Sequence, residues 1–409
     1  MGAIIIPGFP TGMLAPGIYI NVELGRQPPS AAGAVRKVLL VGKNPGAPST
    51  TEANRLYKVS RLRSGAGSDE DSAEALFGRN LANPRQTLLY WMAYAAFEAN
   101  PLVSLYAIRV ADSGTDPYGT VLDPVNGKAA TQQFHYIALD DPTDTAGGPV
   151  DKLVNYLGIL ANPVYGIRQQ GVVGMHFADS KPTAVPNNRD PRLQYVWCPQ
   201  AKNYGSEPPF NGGDFYLGSM LAAAVAAIRS RHESVDPAVN LSMERVPGVP
   251  VPPMELTATK SNLNDYLSWG YTPLVQQGTN TVILRSVTTV ANVTDNTYPV
   301  LDTSKVTVTD FVADDIEMKM LNRYTGFKLA PDTDIPPPSM TATPRGIKSS
   351  LLEWLREHEK AGRITMVTDL SERVLVEIDE EVPGRVNFQI PEDVIEIFAV
   401  GAGNIIQIG

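Results

Sequence analysis

The chain has 409 residues, 43% of them hydrophobic and only 19% charged, with 34 prolines and a formal net charge of −9 from 34 basic and 43 acidic residues. That length allows two or three domains with cores of their own, and the acidic balance argues against a nucleic-acid backbone as partner. Charge below the ~25% of an average globular chain, with proline above the usual ~5%, implies pinned loops and a surface partly covered by something other than water.

Residues 1–16 carry Gly2, Pro7, Gly8, Pro10, Gly12 and Pro16, the texture of an extended lead segment, and no basic residue precedes the first apolar run as a signal peptide requires. Residues 17–24 put large apolar side chains at 18, 20, 22 and 24, the period of a strand with one buried face. Residues 37–42 are a continuous apolar run ending in glycine, which fits a strand buried inside a parallel sheet. The stretch 55–63, with Arg55, Lys58, Arg61 and Arg63, reads as a solvated basic loop. Asn83-Pro84 starts a helix that runs to Asn100-Pro101, and residues 102–110 form a second buried strand. The alternation continues through a strand at 136–139, a helix at 149–160, strands at 172–177 and 194–198, and an alanine-rich helix at 214–229 suited to close packing. A four-proline loop at 247–253, a helix at 260–269 and a strand at 281–285 close this α/β part. Beyond residue 292 the pattern is a strand-like 305–308, a helix at 311–324, a helix at 345–361, and strands at 373–378, 385–390 and 395–408. The fold class is α/β followed by a smaller α+β domain, with the boundary near residue 290. The longest helical apolar stretch, 220–228, is about half the ~18 residues that cross a bilayer, so a soluble protein is expected.

Catalytic machinery is sparse. His135, His176, His232 and His358 make no metal-binding helical pair, and the single Cys198 allows neither an internal disulfide nor a structural zinc site, so no metal and no cofactor are expected. Gly42-Lys43-Asn44-Pro45-Gly46 follows a buried strand as a phosphate loop does, but lacks the Gly-Lys-Ser/Thr ending. No Gly-x-Ser-x-Gly elbow occurs; a hydrolase would have to draw its nucleophile from Ser206 or Cys198. Two apolar segments need cover: 17–24, and 395–408 with Glu396 as its only charge. Each could join the sheet of its own subunit or be exchanged with a neighbour through backbone hydrogen bonds. The helix at 345–361 sets Ile347, Leu351, Trp354 and Leu355 on one face, with Glu353, Arg356, Glu357, Glu359 and Lys360 largely elsewhere.

A series of short motifs spans nearly the whole chain: Pro16-Gly17-Ile18-Tyr19-Ile20, Val38-Leu39-Leu40-Val41-Gly42, Ala75-Leu76-Phe77-Gly78, Asn100-Pro101, and the loop from Val246 to Pro253. It continues through Gly278-Thr279-Asn280-Thr281-Val282, Arg285-Ser286-Val287-Thr288-Thr289, Arg323-Tyr324, Phe327-Lys328-Leu329-Ala330 and Thr343-Pro344-Arg345-Gly346-Ile347-Lys348. In this order the series resembles the contractile tail sheath proteins of bacteriophages, particularly the Mu-like branch. The resemblance implies a subtilisin-like but non-catalytic α/β domain at 25–290, an inner α+β C-terminal domain at 291–394, and strand arms at 1–24 and 395–409. It implies a virion structural subunit, assembled in the host cytoplasm, that polymerises helically around an inner tail tube and contracts to drive the tube through the host envelope. Its partners would be copies of itself, the tube protein, and baseplate and tail terminator proteins, with neither nucleic acid nor membrane insertion. A different structural tail component, or the sheath of a contractile injection system, is the alternative. The arm residues implied in strand exchange are Ile18, Tyr19, Ile20, Val22 and Leu24, with Ile395, Ile397, Phe398, Ile405, Ile406 and Ile408. The tube-facing helix would present Glu353, Arg356, Glu357 and Lys360. One departure is the short connection at 112–136, where Mu-type relatives often carry an extra β domain; a smoother, more compact subunit follows.

Overall fold

The computed structural model describes residue 20 and residues 36–63, 70–81, 83–131, 133–175, 185–198, 218–249, 260–290, 302–333 and 338–396. In chain order the α/β part runs β1 (Lys37–Lys43), β2 (Leu56–Val59), α1 (Ala73–Phe77), α2 (Leu88–Ala99), β3 (Ser104–Val110), α3 (Pro117–Val121) and β4 (Tyr136–Leu139). It continues with α4 (Pro149–Leu160), β5 (Gln170–Gly174), β6 (Leu193–Trp197), α5 (Gly218–Glu233), α6 (Lys260–Ser268), β7 (Tyr271–Gln277) and β8 (Asn280–Ile283). The strands form one eight-stranded sheet in the order β2-β3-β1-β4-β5-β6-β7-β8. The inner six are parallel, and β2 and β8 close the edges antiparallel.

Val38, Leu39, Leu40 and Val41 of β1 have no exposure on either side, as a strand covered by helices on both faces requires. Val38 and Leu40 point into a core shared with α1, α2 and α5, while Leu39 and Val41 point into a second core shared with α3, α4 and α6. The result is a three-layer sandwich. Helix α5 has no polar face at all along Leu221 to Ile228, every residue being fully buried, because it lies between α2 and the sheet. Its entry needs glycine on both sides of the contact. A Cβ on Gly174 would sit 1.6 Å from the Gly218 carbonyl oxygen, and one on Gly218 would sit 2.2 Å from that of Gly174.

Two strands depart from the sequence reading. The basic stretch around Lys58 is the edge strand β2, with Val59 turned into the core and Lys58 exposed, a charge placement that discourages edge-to-edge pairing. Strand β7 holds Pro273, which ordinarily demotes a strand. Here Pro273 stands where β7 leaves its parallel partner β6, whose last pair is Trp197 with Pro273, and takes up its antiparallel partner β8 from Leu274 onward.

The rest of the chain is α7 (Thr303–Tyr324), β9 (Lys328–Leu329), β10 (Thr341–Ala342), α8 (Pro344–Lys360), β11 (Ile364–Thr365), α9 (Val367–Leu370), β12 (Leu375–Ile378), β13 (Val386–Gln389) and β14 (Asp393–Val394). The strand expected at 305–308 is a correction: these residues lie in the first turns of α7, where burial of the β-branched Val306, Thr307 and Val308 overrides their strand propensity. Val308, Phe311, Val312, Ile316 and Met320 of α7 meet Ile347, Leu351, Trp354 and Leu355 of α8 in a third core, completed by Ile364, Val367, Val374 and Val394. Thr343 caps α8, its Oγ1 accepting from the Gly346 N–H at 3.2 Å, with Pro344 in the first turn.

Candidate functional site

Open α/β sheets bind ligands beyond the carboxyl ends of their strands, where the strand order reverses. Here that point lies between β1 and β4, and it is filled by the chain itself. Asp140, just past β4, lies so near β1 that a Cβ on Gly42 would come within 2.8 Å of its own Cβ. Its carboxylate accepts from the Lys43 N–H at 2.8 Å and from the Tyr118 hydroxyl at 2.7 Å. Burial, only partly offset by these donors, pushes the Asp140 carboxyl up to about 7. Asn44, fully buried, bridges the neighbouring elements by donating to the Phe77 carbonyl at 2.9 Å and accepting from the Leu89 N–H at 3.2 Å. The loop placed as a phosphate site would be therefore caps α2 instead of cradling an anion. Cys198 is buried, and burial pushes its thiol far up, away from the thiolate a nucleophile needs. Ser206 lies outside the described residues. Among the described residues no cluster of three or more His, Cys, Asp or Glu is arranged to hold a metal, and no helix is long and apolar enough to cross a membrane.

The polar chemistry is concentrated at the opposite, amino-terminal edge of the parallel strands. Arg229 of α5, with no exposure, donates to Glu233 at 2.8 Å, to Gln194 of β6 at 3.1 Å and to Gln170 of β5 at 2.6 Å. Its guanidinium also stacks on the Tyr136 ring at 4.7 Å, and the Tyr136 hydroxyl donates to Glu233. Arg36, just before β1, donates to the Tyr136 hydroxyl at 3.1 Å and to the Glu233 carbonyl at 3.0 Å. Such a network is tolerable in a core only when its members satisfy one another.

Helix α7 closes this edge. Thr303, Thr307, Asp310, Asp314 and Glu317 follow one another at helical spacing and form a polar stripe, while the apolar residues named above face the third core. Thr307 accepts from Arg229 at 3.0 Å and from Gln170 at 3.2 Å. Arg192, next to β6, holds both oxygens of Asp310 at 2.6 and 2.7 Å, and Arg168, ahead of β5, pairs with Asp314 and lies 3.6 Å from Glu317. At the start of the helix Arg285 grips Asp302 in the same bidentate way, at 2.7 and 2.8 Å. Sequence reasoning missed these residues because a polar helical stripe ordinarily marks a solvated face; the one available signal was an arginine shortly before each of two buried strands.

Of the residues expected in strand exchange, Ile20 and Ile395 are described and the other nine lie outside the described residues. Ile20 packs against the third core, and its carbonyl accepts from Arg168 at 3.0 Å. Ile395 is 36% exposed and its N–H donates to the Arg363 carbonyl at 3.1 Å. Glu353, Arg356, Glu357 and Lys360 all lie on the exposed side of α8. The acidic members lean towards α7: Glu353 pairs with Arg323 at 3.0 Å and Glu357 with Lys319 at 2.6 Å. Arg356 and Lys360 make no ion pair among the described residues.

No protein-family model matches the chain, and no curated protein matches it by sequence. Solved structures do. A chain of the anti-feeding prophage baseplate superposes with a TM-score of 0.60 at 14% identity, covering 97% of this chain and 99% of that one. The helical sheath of the anti-feeding prophage in its contracted state gives 0.59 at 12% identity, with the same coverage of 97% and 99%. The sheath tail protein from Desulfitobacterium hafniense gives 0.53 at 10% identity, covering 93% of this chain and 100% of that one. End to end, the chain has the fold of contractile sheath proteins.

Proposed function

We propose that this protein is the structural subunit of a contractile sheath, in a phage tail or a related injection system, that polymerises helically around an inner tube. The observation that carries the reading is the likeness to a sheath chain over 97% of this sequence and 99% of that one. The filled switch point agrees with it, since a scaffold that does no chemistry at its strand ends can pack them shut. On this reading 25–290 is the outer domain, with the subtilisin-like α/β plan, and 291–394 the inner one. Segments 1–24 and 395–409 are arms that pair with neighbouring copies, and the tube, baseplate and terminator are the further partners. The assembly is part of an extracellular particle built inside the host cell.

The exposed side of α8 turns to the tube. The sorting of charge along that helix supports this orientation: Glu353, Glu357 and Glu359 are engaged within the chain, Glu359 by the Val367 N–H at 3.0 Å, which leaves Arg356 and Lys360 outermost. The matching tube surface is acidic. Negative-stain microscopy of the purified protein should show wide helical tubes, and narrow tubes or closed shells would refute the sheath reading. With Arg356→Glu and Lys360→Glu together, empty sheaths should still form but fail to retain the tube; unchanged retention would refute the orientation.

A further inference from the structure

Ile20 and Glu396 are the first and last described residues, nearly the whole length of the chain apart, and both are tied to the same helix, Glu396 directly and Ile20 through Arg168. At Ile20 the fastening is Arg168, whose side chain is only 1% exposed. One of its terminal nitrogens is taken up by Asp314 and Glu317 of α7, and the other donates to the Ile20 carbonyl at 3.0 Å. A backbone carbonyl offers no sequence information, so this contact fixes where the segment passes rather than which side chain it carries. At Glu396 the fastening is Lys305, in the first turn of α7, with Arg285 close enough to add its charge. The two points lie nine residues apart along the helix, roughly 14 Å at 1.5 Å per residue.

We propose that helix α7 is the common mooring of the two terminal segments, so that a second copy of this chain pulling on either one loads a single helix already clamped to the sheet. The inference rests on the sheath reading for the identity of the pulling partner, but the moorings stand on their own geometry. A segment exchanged between copies transmits force only if its root is held: the first root is held by a buried charge-assisted bond, and the second by an exposed ion pair beside the backbone pairing of Val394 with Ile364 and of Ile395 with Arg363. The clamp behind them is the polar stripe: Thr307 on Arg229 and Gln170, Asp310 on Arg192, and Asp302 on Arg285. Load on the Ile20 root therefore reaches Arg168, which is tied both to the start of β5 and to α7, and load on the Glu396 root reaches α7 through Lys305 and from there the ends of β5 and β6.

Cysteine labelling tests this directly, because the only native thiol, Cys198, is fully buried and gives no background. Reporters are Ile20→Cys and Val394→Cys, each read in the full chain by its rate of maleimide labelling. Glu396→Gln should speed labelling at position 394 about tenfold and leave position 20 unchanged, as expected for local opening. Arg168→Gln should do the reverse. Should that variant fold poorly, Arg168→Lys keeps a charge for Asp314 and Glu317 but loses the forked second donor, and should still free position 20. Both reporters rising together, or neither rising, would overturn the mooring. In assembled tubes, Arg168→Lys combined with Glu396→Gln should lower resistance to shear; tubes as robust as the unaltered ones would remove the load-bearing role. If the unaltered protein forms no wide tubes, the sheath reading falls while the labelling result still decides the moorings.

Discussion

Replacing Asp310 by alanine is the sharpest test of the clamp between α7 and the sheet. The side chains of Arg192 and Asp310 are 5% and 11% exposed and share two short parallel hydrogen bonds. Burial alone would lower the Arg192 pKa, but the charge and hydrogen bonds of Asp310, joined by the charges of Asp190 and Asp314, together outweigh it and hold the guanidinium above its ordinary value. Asp310→Ala leaves that cation buried without its counter-charge, which costs about 3–5 kcal/mol. Against a typical domain stability of roughly 5–15 kcal/mol, the loss is large. Urea unfolding followed by tryptophan fluorescence, with Trp354 reporting the third core, should show the midpoint fall accordingly. The double change Arg192→Met with Asp310→Leu removes both charges and fills the space, so it should recover most of the loss. A cost below about 1 kcal/mol for the single change, or a double variant no better than the single, would refute the claim that this pair is a dry clamp.

Gly174→Ala drives a methyl group into the Gly218 carbonyl and should cost at least about 2 kcal/mol in urea unfolding, with α5 displaced. Thr343→Ala removes the cap of α8 and should cost about 1 kcal/mol, read as a lower thermal midpoint, while Thr343→Ser should be nearly neutral. Asp140 gives a pH signature. Its folded value of about 7 lies above the ordinary 3.8, so the stability it contributes is fully present below pH ~4 and is lost as pH rises through 7. Asp140→Asn should therefore gain on the unaltered protein between pH 5 and pH 8, and a difference that stays flat over that range would count against the buried carboxyl.

The order of most α/β elements was legible because strands covered on both faces, β1 and β4 above all, are nearly continuous apolar runs. Helix α8 was legible in detail, down to its buried Ile347, Leu351, Trp354 and Leu355. What failed to show were elements serving two neighbours at once. Strand β7 carries a proline that is harmless only where its hydrogen-bond partner changes from β6 to β8. Helix α7 buries an apolar face in one core and a polar stripe against another surface, so no single periodicity dominates, and its β-branched opening imitates a strand. Asn44 caps a helix whose first residue is more than forty positions away, a relation that only the folded chain creates. The start of α2 shifted for a related reason: Asn83-Pro84 opens a short 3-10 turn, and the α-helix begins at Leu88, where the Asn44 side chain can reach the Leu89 N–H.

The low charge content acquires a sharper meaning from these contacts. A chain with 19% charged residues could still spread them all over its surface. Instead Arg36, Arg168, Arg192, Arg229, Glu233, Asp302 and Asp310 are buried, most of them at the edge where α7 meets the sheet. Among the described residues the exterior also carries isolated large apolar residues such as Leu102 at 90% and Val235 at 82% exposure. A freely diffusing monomer would gain solubility from the opposite arrangement. Charges inside and apolar groups outside suit a body whose internal joints must hold while its flanks rest against copies of itself. On the proposed sheath reading, this is the division of labour the subunit requires when neighbouring contacts change and the bodies do not.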